Sequence, residues 1–86
     1  MSNRMVRVTV KMFGPLKDIV QKDEMLLDVP PPHTGDAAFD LLAGQLPALQ
    51  QWRKSVRLAV NLEYVSFEHV VKENDEISFI PPVSGG

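Results

Sequence analysis

Residues 6–13 read Val-Arg-Val-Thr-Val-Lys-Met-Phe, so that apolar side chains alternate with polar ones. The apolar parity comprises Val6, Val8, Val10 and Met12. A period of two over β-branched residues is typical of a half-buried strand, which we therefore predict here. Phe13 breaks the alternation, because its parity places it on the polar face of the strand. Gly14-Pro15 follows and is expected to end the strand.

A second strand is predicted over residues 24–29, directly before three prolines. Proline lacks the backbone donor that a sheet needs, so residues 30–32 cannot lie inside one. Between the two strands, residues 16–23 are mostly polar and predict a loop or a single helical turn. The two strands are therefore expected to form a hairpin.

The best helix of the chain follows the prolines. Thr34 can cap the free backbone N–H groups at its start. Its apolar side chains are Ala38, Phe39, Leu41, Leu42 and Leu46. Gly44 weakens this helix by up to about 1 kcal/mol relative to alanine. Pro47 ends the helix or begins a second short helical piece, in which we expect Trp52 to serve packing.

Three further extended stretches are predicted in the second half of the chain. They are residues 57–62, 64–66 and 76–80, and a turn signal at residues 73–75 precedes the last of them. Their inward positions are Leu58, Val60, Ile77 and Phe79. Ile80 has the opposite parity to Ile77 and Phe79, so we expect it, like Phe13, to point away from the core.

The order of elements is strand, strand, helix, strand, short strand, strand. One good helix after an apparent hairpin predicts an α+β fold, in which the helix packs across one face of a mixed sheet of four or five strands. This is the β-grasp arrangement of ubiquitin-like proteins. We predict a single domain over residues 1–80 and an extended tail over residues 81–86, with no internal repeat.

Composition excludes several classes of protein. The chain has 86 residues, no cysteine, nine Lys/Arg and eleven Asp/Glu. Disulfides and cysteine-bound metal centres are therefore excluded, and a net charge of −2 argues against a nucleic-acid partner. No apolar run approaches the roughly 18–20 residues of a membrane span, and the first five residues lack the apolar stretch of a signal peptide. We expect a cytoplasmic protein with no membrane partner.

Metal binding is not predicted from the side chains either. His33 and His69 are far apart and lack the spacing of paired ligands, and residues 73–76 lack the oxygen-ligand spacing of a calcium site. We expect both histidines to be ordinary surface or loop residues.

The most informative segment is the ending, Ile80-Pro81-Pro82-Val83-Ser84-Gly85-Gly86. The two prolines favour an extended, stiff backbone that projects from the last strand. Gly85 and Gly86 carry no side chain, so such a tip can enter a channel that is too narrow for a Cβ. A frayed, solvated end is the structural alternative. If a partner adenylates the terminal carboxylate with ATP, the glycine carbonyl becomes open to nucleophilic attack, with no side chain of this chain required.

Three stretches together resemble the small subunit of molybdopterin synthase. They are residues 58–66 (Leu-Ala-Val-Asn through Tyr-Val-Ser), residues 74–76 (Asn-Asp-Glu) and the Pro-Pro-Val-Ser-Gly-Gly ending. The opening strand that ends in Phe13 fits the same family, so the resemblance covers nearly the whole chain. Thiamine-pathway sulfur carriers share the fold and the Gly-Gly ending, but typically without the Pro-Pro pair, and such a carrier stays open as an alternative. Residues 14–18 depart from the family, which usually has a small residue and then an Arg/Glu-rich helical turn.

The resemblance implies a sulfur carrier in molybdenum cofactor biosynthesis. An adenylyltransferase related to ubiquitin activators would adenylate Gly86 with ATP, and a sulfurtransferase would convert the adenylate to a thiocarboxylate. The tail, consisting of Pro81, Pro82, Val83, Ser84, Gly85 and Gly86, would then insert into the large synthase subunit and donate sulfur to cyclic pyranopterin monophosphate. The resemblance also implies a heterotetramer, catalytic side chains on the large subunit, and no cofactor bound by the carrier itself.

The same resemblance places Phe13, Tyr64 and Ile80 in a patch that docks onto partners. An exposed apolar cluster beside a functional tail suits such a role.

Two readings from other classes stay open. A ubiquitin-like modifier would use the same tail to form an isopeptide bond between Gly86 and a lysine of another protein, and covalent conjugates in the cell would reveal it. A β-grasp binding module with an inert tail would keep its function after the tail is truncated.

Overall fold

The computed structural model describes residues 4–82, and the predicted tail residues Val83, Ser84, Gly85 and Gly86 lie outside the described residues. Its elements in chain order are β1 (Val6–Met12), α1 (Gly14–Val20), β2 (Glu24–Val29), α2 (Gly35–Gln45), a 3₁₀ helix (Pro47–Trp52), β3 (Arg57–Val60), β4 (Glu63–Val65) and β5 (Glu76–Ile80).

The strands form one sheet in the order β2-β1-β5-β3-β4. β1 and β5 run parallel, whereas β1–β2, β3–β5 and β3–β4 pair antiparallel, so the sheet is mixed. α2 packs across one face of it. The predicted α+β class and β-grasp arrangement are confirmed. Because β5 enters between β1 and β3, the last strand ends in the middle of the sheet, directly before Pro81.

The core lies between α2 and the covered face of the sheet. Phe39 of α2 meets Phe79 of β5 edge to face, with 5.1 Å between ring centroids and an interplanar angle of 84°. Most of the inward positions predicted for the strands are buried, including Val8, Val10 and Met12, whereas Val6 is half-buried. Trp52 is half-buried and packs against this core, as predicted.

α2 begins where the sequence predicts. Thr34 is extended, and its side-chain oxygen accepts a hydrogen bond from the backbone N–H of Ala37 at 3.1 Å. This bond satisfies one of the free donors at the helix start. Pro47 then begins the 3₁₀ helix, which buries Leu49.

The segment after β1 is more regular than predicted. Residues 16–23 were expected to form a loop or one turn, but α1 runs from Gly14 to Val20. Its Leu16 is buried, and Ile19 and Val20 are half-buried against the core. This i, i+3, i+4 spacing presents one apolar face, and the proline after Gly14 suits a helix start, where its missing donor costs no hydrogen bond.

The strand predicted over residues 57–62 is also shorter than expected. β3 ends at Val60, which pairs with Glu63 of β4. Asn61 and Leu62 between them have φ values of 50° and 71°. A two-residue connection with both φ positive is the type I′ hairpin turn, whose twist matches that of the flanking strands.

Candidate functional site

The face of the sheet that α2 leaves uncovered carries the predicted docking residues. Met12 pairs with Phe79 in the parallel β1–β5 register, so the next residues on each strand, Phe13 and Ile80, are neighbours. Phe13 is 45% exposed and Ile80 is half-buried, in agreement with the outward parity predicted for both.

Tyr64 lies on the same open face, on β4, which is separated from β1 by the two strands β5 and β3. It pairs with Ala59 of β3, while Ile80 pairs with Arg57, so Tyr64 and Ile80 occupy adjacent rows of the sheet. Tyr64 is 61% exposed. The fold thus brings the three residues predicted as a docking patch to the end of the sheet where the tail leaves. We call Phe13, Tyr64 and Ile80 the docking patch; its role in binding a partner stays a prediction.

Arg57 belongs to this site, although the sequence reasoning did not select it. Its guanidinium carbon lies 5.7 Å from the centroid of the Tyr64 ring, which is the distance of a cation–π contact. The two side chains line a groove together with Ser55, Ile80, Pro81 and Pro82. The signal available in the sequence was its position as the first residue of β3, on the parity opposite to Leu58.

The base of the tail is held at this end of the sheet. Pro81 is half-buried and Pro82 is exposed. Gly14 approaches Pro81 so closely that a Cβ on residue 14 would lie 3.3 Å from Pro81 Cγ, and Gly14 has a φ of +55°. Both the left-handed backbone and the close approach favour glycine at this position. The β1–α1 corner and the tail base therefore pack against each other.

Ion pairs neutralise most of the cations on the open face. The Lys11 ammonium lies 3.1 Å from a Glu76 carboxylate oxygen, and this hydrogen bond raises the pKa of Lys11 above its ordinary value. Arg7 donates to Asp28 at 2.8 and 3.3 Å, which raises the pKa of Arg7 and lowers that of Asp28. These pairs join β1 to its two neighbouring strands.

Unlike Lys11 and Arg7, Arg57 is not paired with a carboxylate of the described residues. Within residues 4–82, no carboxylate lies within 4.0 Å of its guanidinium nitrogens. Among the described residues, the lining of the groove beside the tail therefore presents a positive charge, an aromatic ring and apolar side chains, and no acidic side chain.

The described part of the chain offers little for other kinds of site. No group of three or more His, Asp or Glu residues between positions 4 and 82 is placed to hold a metal ion. His33 and His69 lie apart from the docking patch; Nε2 of His33 is 2.8 Å from the carbonyl oxygen of Arg4, a contact within the fold. None of the helices in this range has the length and apolar character needed to cross a membrane.

The sequence of this chain is similar to one protein family and to named members of known function. A sequence model of the ThiS family matches residues 10–86. A molybdopterin synthase sulfur carrier subunit of Arabidopsis thaliana is 32% identical over 94% of this chain and 84% of its own. One from Dictyostelium discoideum is 35% identical over 90% of this chain and 93% of its own.

A similarity of structure accompanies the similarity of sequence. The solution structure of small archaeal modifier protein 1 from Methanosarcina acetivorans superposes with a TM-score of 0.81 at 26% identity. The match covers 96% of this chain and 99% of that one.

Proposed function

The chain belongs to the ThiS family, and we propose that it is the sulfur-carrier subunit of a molybdopterin synthase. The observation that carries this proposal is its similarity, over nine-tenths of its length or more, to relatives that bear that name. The Pro-Pro-Val-Ser-Gly-Gly ending and the exposed patch at the base of the tail support it.

The proposed chemistry takes place on the carbonyl of Gly86. The carboxylate attacks the α-phosphorus of ATP on an adenylyltransferase related to ubiquitin activators, and pyrophosphate leaves. The product is a mixed anhydride, whose carbonyl carbon accepts a nucleophile far more readily than a carboxylate does. The persulfide of a sulfurtransferase then adds to that carbon and AMP leaves, which gives an acyl disulfide. A thiol reduces the S–S bond of that disulfide, which releases the C-terminal thiocarboxylate and leaves the thiol oxidised as a disulfide. Activation thus belongs to partners, and ATP is their substrate.

The charged carrier would next meet the large synthase subunit. In the proposed complex the tail enters the large subunit, and the thiocarboxylate sulfur is transferred to cyclic pyranopterin monophosphate. At full extension, the four residues after Pro82 reach at most about 14 Å. That reach lets the sulfur enter a recessed active site while the sheet stays outside. Catalytic side chains are therefore expected on the large subunit, in a heterotetramer with two carriers.

The fold contributes a surface for the partner to bind and a fixed starting point for the tail. The docking patch, formed by Phe13, Tyr64 and Ile80, offers apolar surface that a partner can cover. Pro81 is packed against Gly14, so the tail starts from a defined point beside that patch. Both features reduce the conformational freedom lost when the complex forms.

A ubiquitin-like modifier is the second candidate, because the protein from Methanosarcina acetivorans that is 26% identical is named as a modifier. In that case the activated Gly86 carbonyl would be attacked by a lysine amine of another protein. The two candidates share the activation step and differ in the group that ends up on Gly86.

Mass analysis of the C-terminal peptide of the protein purified from its own host separates the two candidates. Sulfur in place of one terminal oxygen of Gly86 is the expected result. Since methionine oxidation adds nearly the same mass as that exchange, the peptide must be isolated from all four methionines. A variant lacking Gly86 is the control and should carry no sulfur. An isopeptide between Gly86 and a lysine, without thiocarboxylate, would favour the modifier; neither product in cells that make the cofactor would contradict both.

A further inference from the structure

Arg57 lies at the edge of the docking patch, and its charge has no carboxylate partner among residues 4–82. Four other cations, Arg7, Lys11, Lys17 and Arg53, each contact a carboxylate, namely that of Asp28, Glu76, Asp23 and Asp36 in turn. Arg57 instead lies over the Tyr64 ring, with no carboxylate of residues 4–82 in contact distance. Its five N–H donors are available to an outside acceptor.

Arg57 lies where a partner that binds the docking patch would cover it. Arg57 pairs with Ile80 across β3 and β5, and it lines the groove along Pro81 and Pro82. A protein that covers the docking patch and receives the tail must also cover Arg57. Removing a guanidinium from water without supplying an acceptor is strongly unfavourable. The partner surface must therefore offer hydrogen-bond acceptors to the guanidinium at that place.

The geometry favours a carboxylate at that point. The guanidinium carbon of Arg57 lies 5.7 Å from the centroid of the Tyr64 ring, and this cation–π contact favours one placement of the planar N–H fork before binding. A carboxylate matches that fork with two parallel hydrogen bonds. None of the residues between positions 4 and 82 that line the groove is acidic, so none of them competes for the same donors.

We propose that Arg57, supported by the Tyr64 ring, receives an aspartate or glutamate side chain of the large synthase subunit when the docking patch is covered. This inference rests on the proposed function, since it takes the large subunit as the partner. Arg57 is a specificity residue and does not touch the reacting carbonyl, because the proposed extended tail carries Gly86 up to about 14 Å beyond Pro82.

The test measures binding of the full-length chain to the large subunit from the same organism by titration calorimetry, at low and at high sodium chloride. Arg57→Leu removes the charge and keeps an apolar side chain. Lys72→Leu makes the same change of net charge at an exposed residue before the start of β5, away from the groove. Arg57→Gln is the second variant, in case leucine disturbs the fold, and circular dichroism checks all of them.

We expect Arg57→Leu and Arg57→Gln to raise Kd by at least about tenfold, because the partner carboxylate is left without its cation. We also expect the wild-type Kd to rise with salt more steeply than that of either Arg57 variant, while Lys72→Leu stays close to wild type. Equal affinity and equal salt dependence for wild type and both Arg57 variants would overturn the inference and leave the proposed function intact. Failure of the wild type to bind the large subunit would overturn both.

Discussion

Asn61 donates a hydrogen bond from its side-chain amide to a carboxylate oxygen of Asp75 at 2.9 Å, and this bond ties the β3–β4 turn to the start of β5. The side-chain oxygen of Asn61 also accepts from the backbone N–H of Glu76 at 3.0 Å. These contacts account for an asparagine with positive φ at this position. They do not extend to its neighbour Leu62, which has a φ of 71° and is 91% exposed.

Leu62→Gly should therefore stabilise the protein. A left-handed conformation costs an ordinary L-residue roughly 1–2 kcal/mol, and glycine escapes this cost but loses up to about 1 kcal/mol in backbone entropy. The expected net gain in the free energy of unfolding is about 0.5–1 kcal/mol, measured by urea denaturation. The matched variant Asn61→Gly should lose about 1–2 kcal/mol, because its side-chain hydrogen bonds disappear. Equal or lower stability for Leu62→Gly would contradict the strain assigned to that residue.

Two glycines of α2 should respond to alanine in opposite directions. A Cβ on Gly44 meets no atom within 4 Å, so Gly44→Ala should stabilise the helix by about 0.5–1 kcal/mol. A Cβ on Gly35 would overlap Leu58 Cδ2 and lie 3.2 Å from the Phe67 carbonyl oxygen. Gly35→Ala should therefore cost about 1–3 kcal/mol through overpacking. Thermal unfolding of both variants beside wild type measures the contrast, and a shift of the same sign for both would refute it.

Acid should weaken the contact between β1 and β2. The hydrogen bonds from Arg7 hold the pKa of Asp28 below its ordinary value of 3.8. This pKa is lower in the folded than in the unfolded protein. The pair therefore stabilises the fold at pH values above the ordinary pKa of Asp28, and that contribution is lost as the pH falls through the pKa of the folded protein. In a carboxyl-detected NMR titration, Arg7→Met should raise the titration midpoint of Asp28. An unchanged midpoint would show that Arg7 does not perturb the carboxyl.

Much of this fold can be predicted from local sequence patterns. The features that cannot be predicted in this way depend on contacts between residues far apart in the chain. The alternation over residues 6–13 and the Thr34 cap correctly predict β1 and the start of α2, because both signals depend on near neighbours. Gly14-Pro15 equally suits the end of a strand and the start of a helix, which explains why α1 was underestimated. The insertion of β5 between β1 and β3 depends on the pairing of β1 with β5, whose residues are more than 60 positions apart in the chain. The periodicity of a short segment carries no information about such a pairing.

In the candidate site, too, local features follow from the sequence and contacts between strands do not. Strand parity alone predicts that Phe13 and Ile80 face outward, because a side chain's face depends only on its place along the strand. The contact between Arg57 and Tyr64 depends on the β3–β4 register, so the sequence gives no direct sign of it.

Alanine substitutions of Phe13 and Phe79 should distinguish an effect on partner binding from an effect on folding stability. Phe79 is fully buried in the core, whereas Phe13 is 45% exposed on the open face. Phe79→Ala should lower the free energy of unfolding by about 3–5 kcal/mol, while we expect Phe13→Ala to cost less than about 1.5 kcal/mol, since less than a full side chain's burial is lost. In pull-down of the large subunit, Phe13→Ala should lose binding while remaining folded. A folded Phe13→Ala variant that binds like wild type would remove Phe13 from the docking patch.

The contact between Gly14 and Pro81 can be separated from the backbone strain at Gly14 by a double-mutant cycle. Gly14→Ala should cost roughly 1–2 kcal/mol because its φ is +55°, and more because the new Cβ would lie 3.3 Å from Pro81 Cγ. Pro81→Ala removes that Cγ, so in its background Gly14→Ala should cost less, by about 0.5 kcal/mol or more. Urea denaturation of the four proteins measures the coupling. Strictly additive effects would contradict the close approach of residue 14 to Pro81, and the defined starting point proposed for the tail would then lose this support.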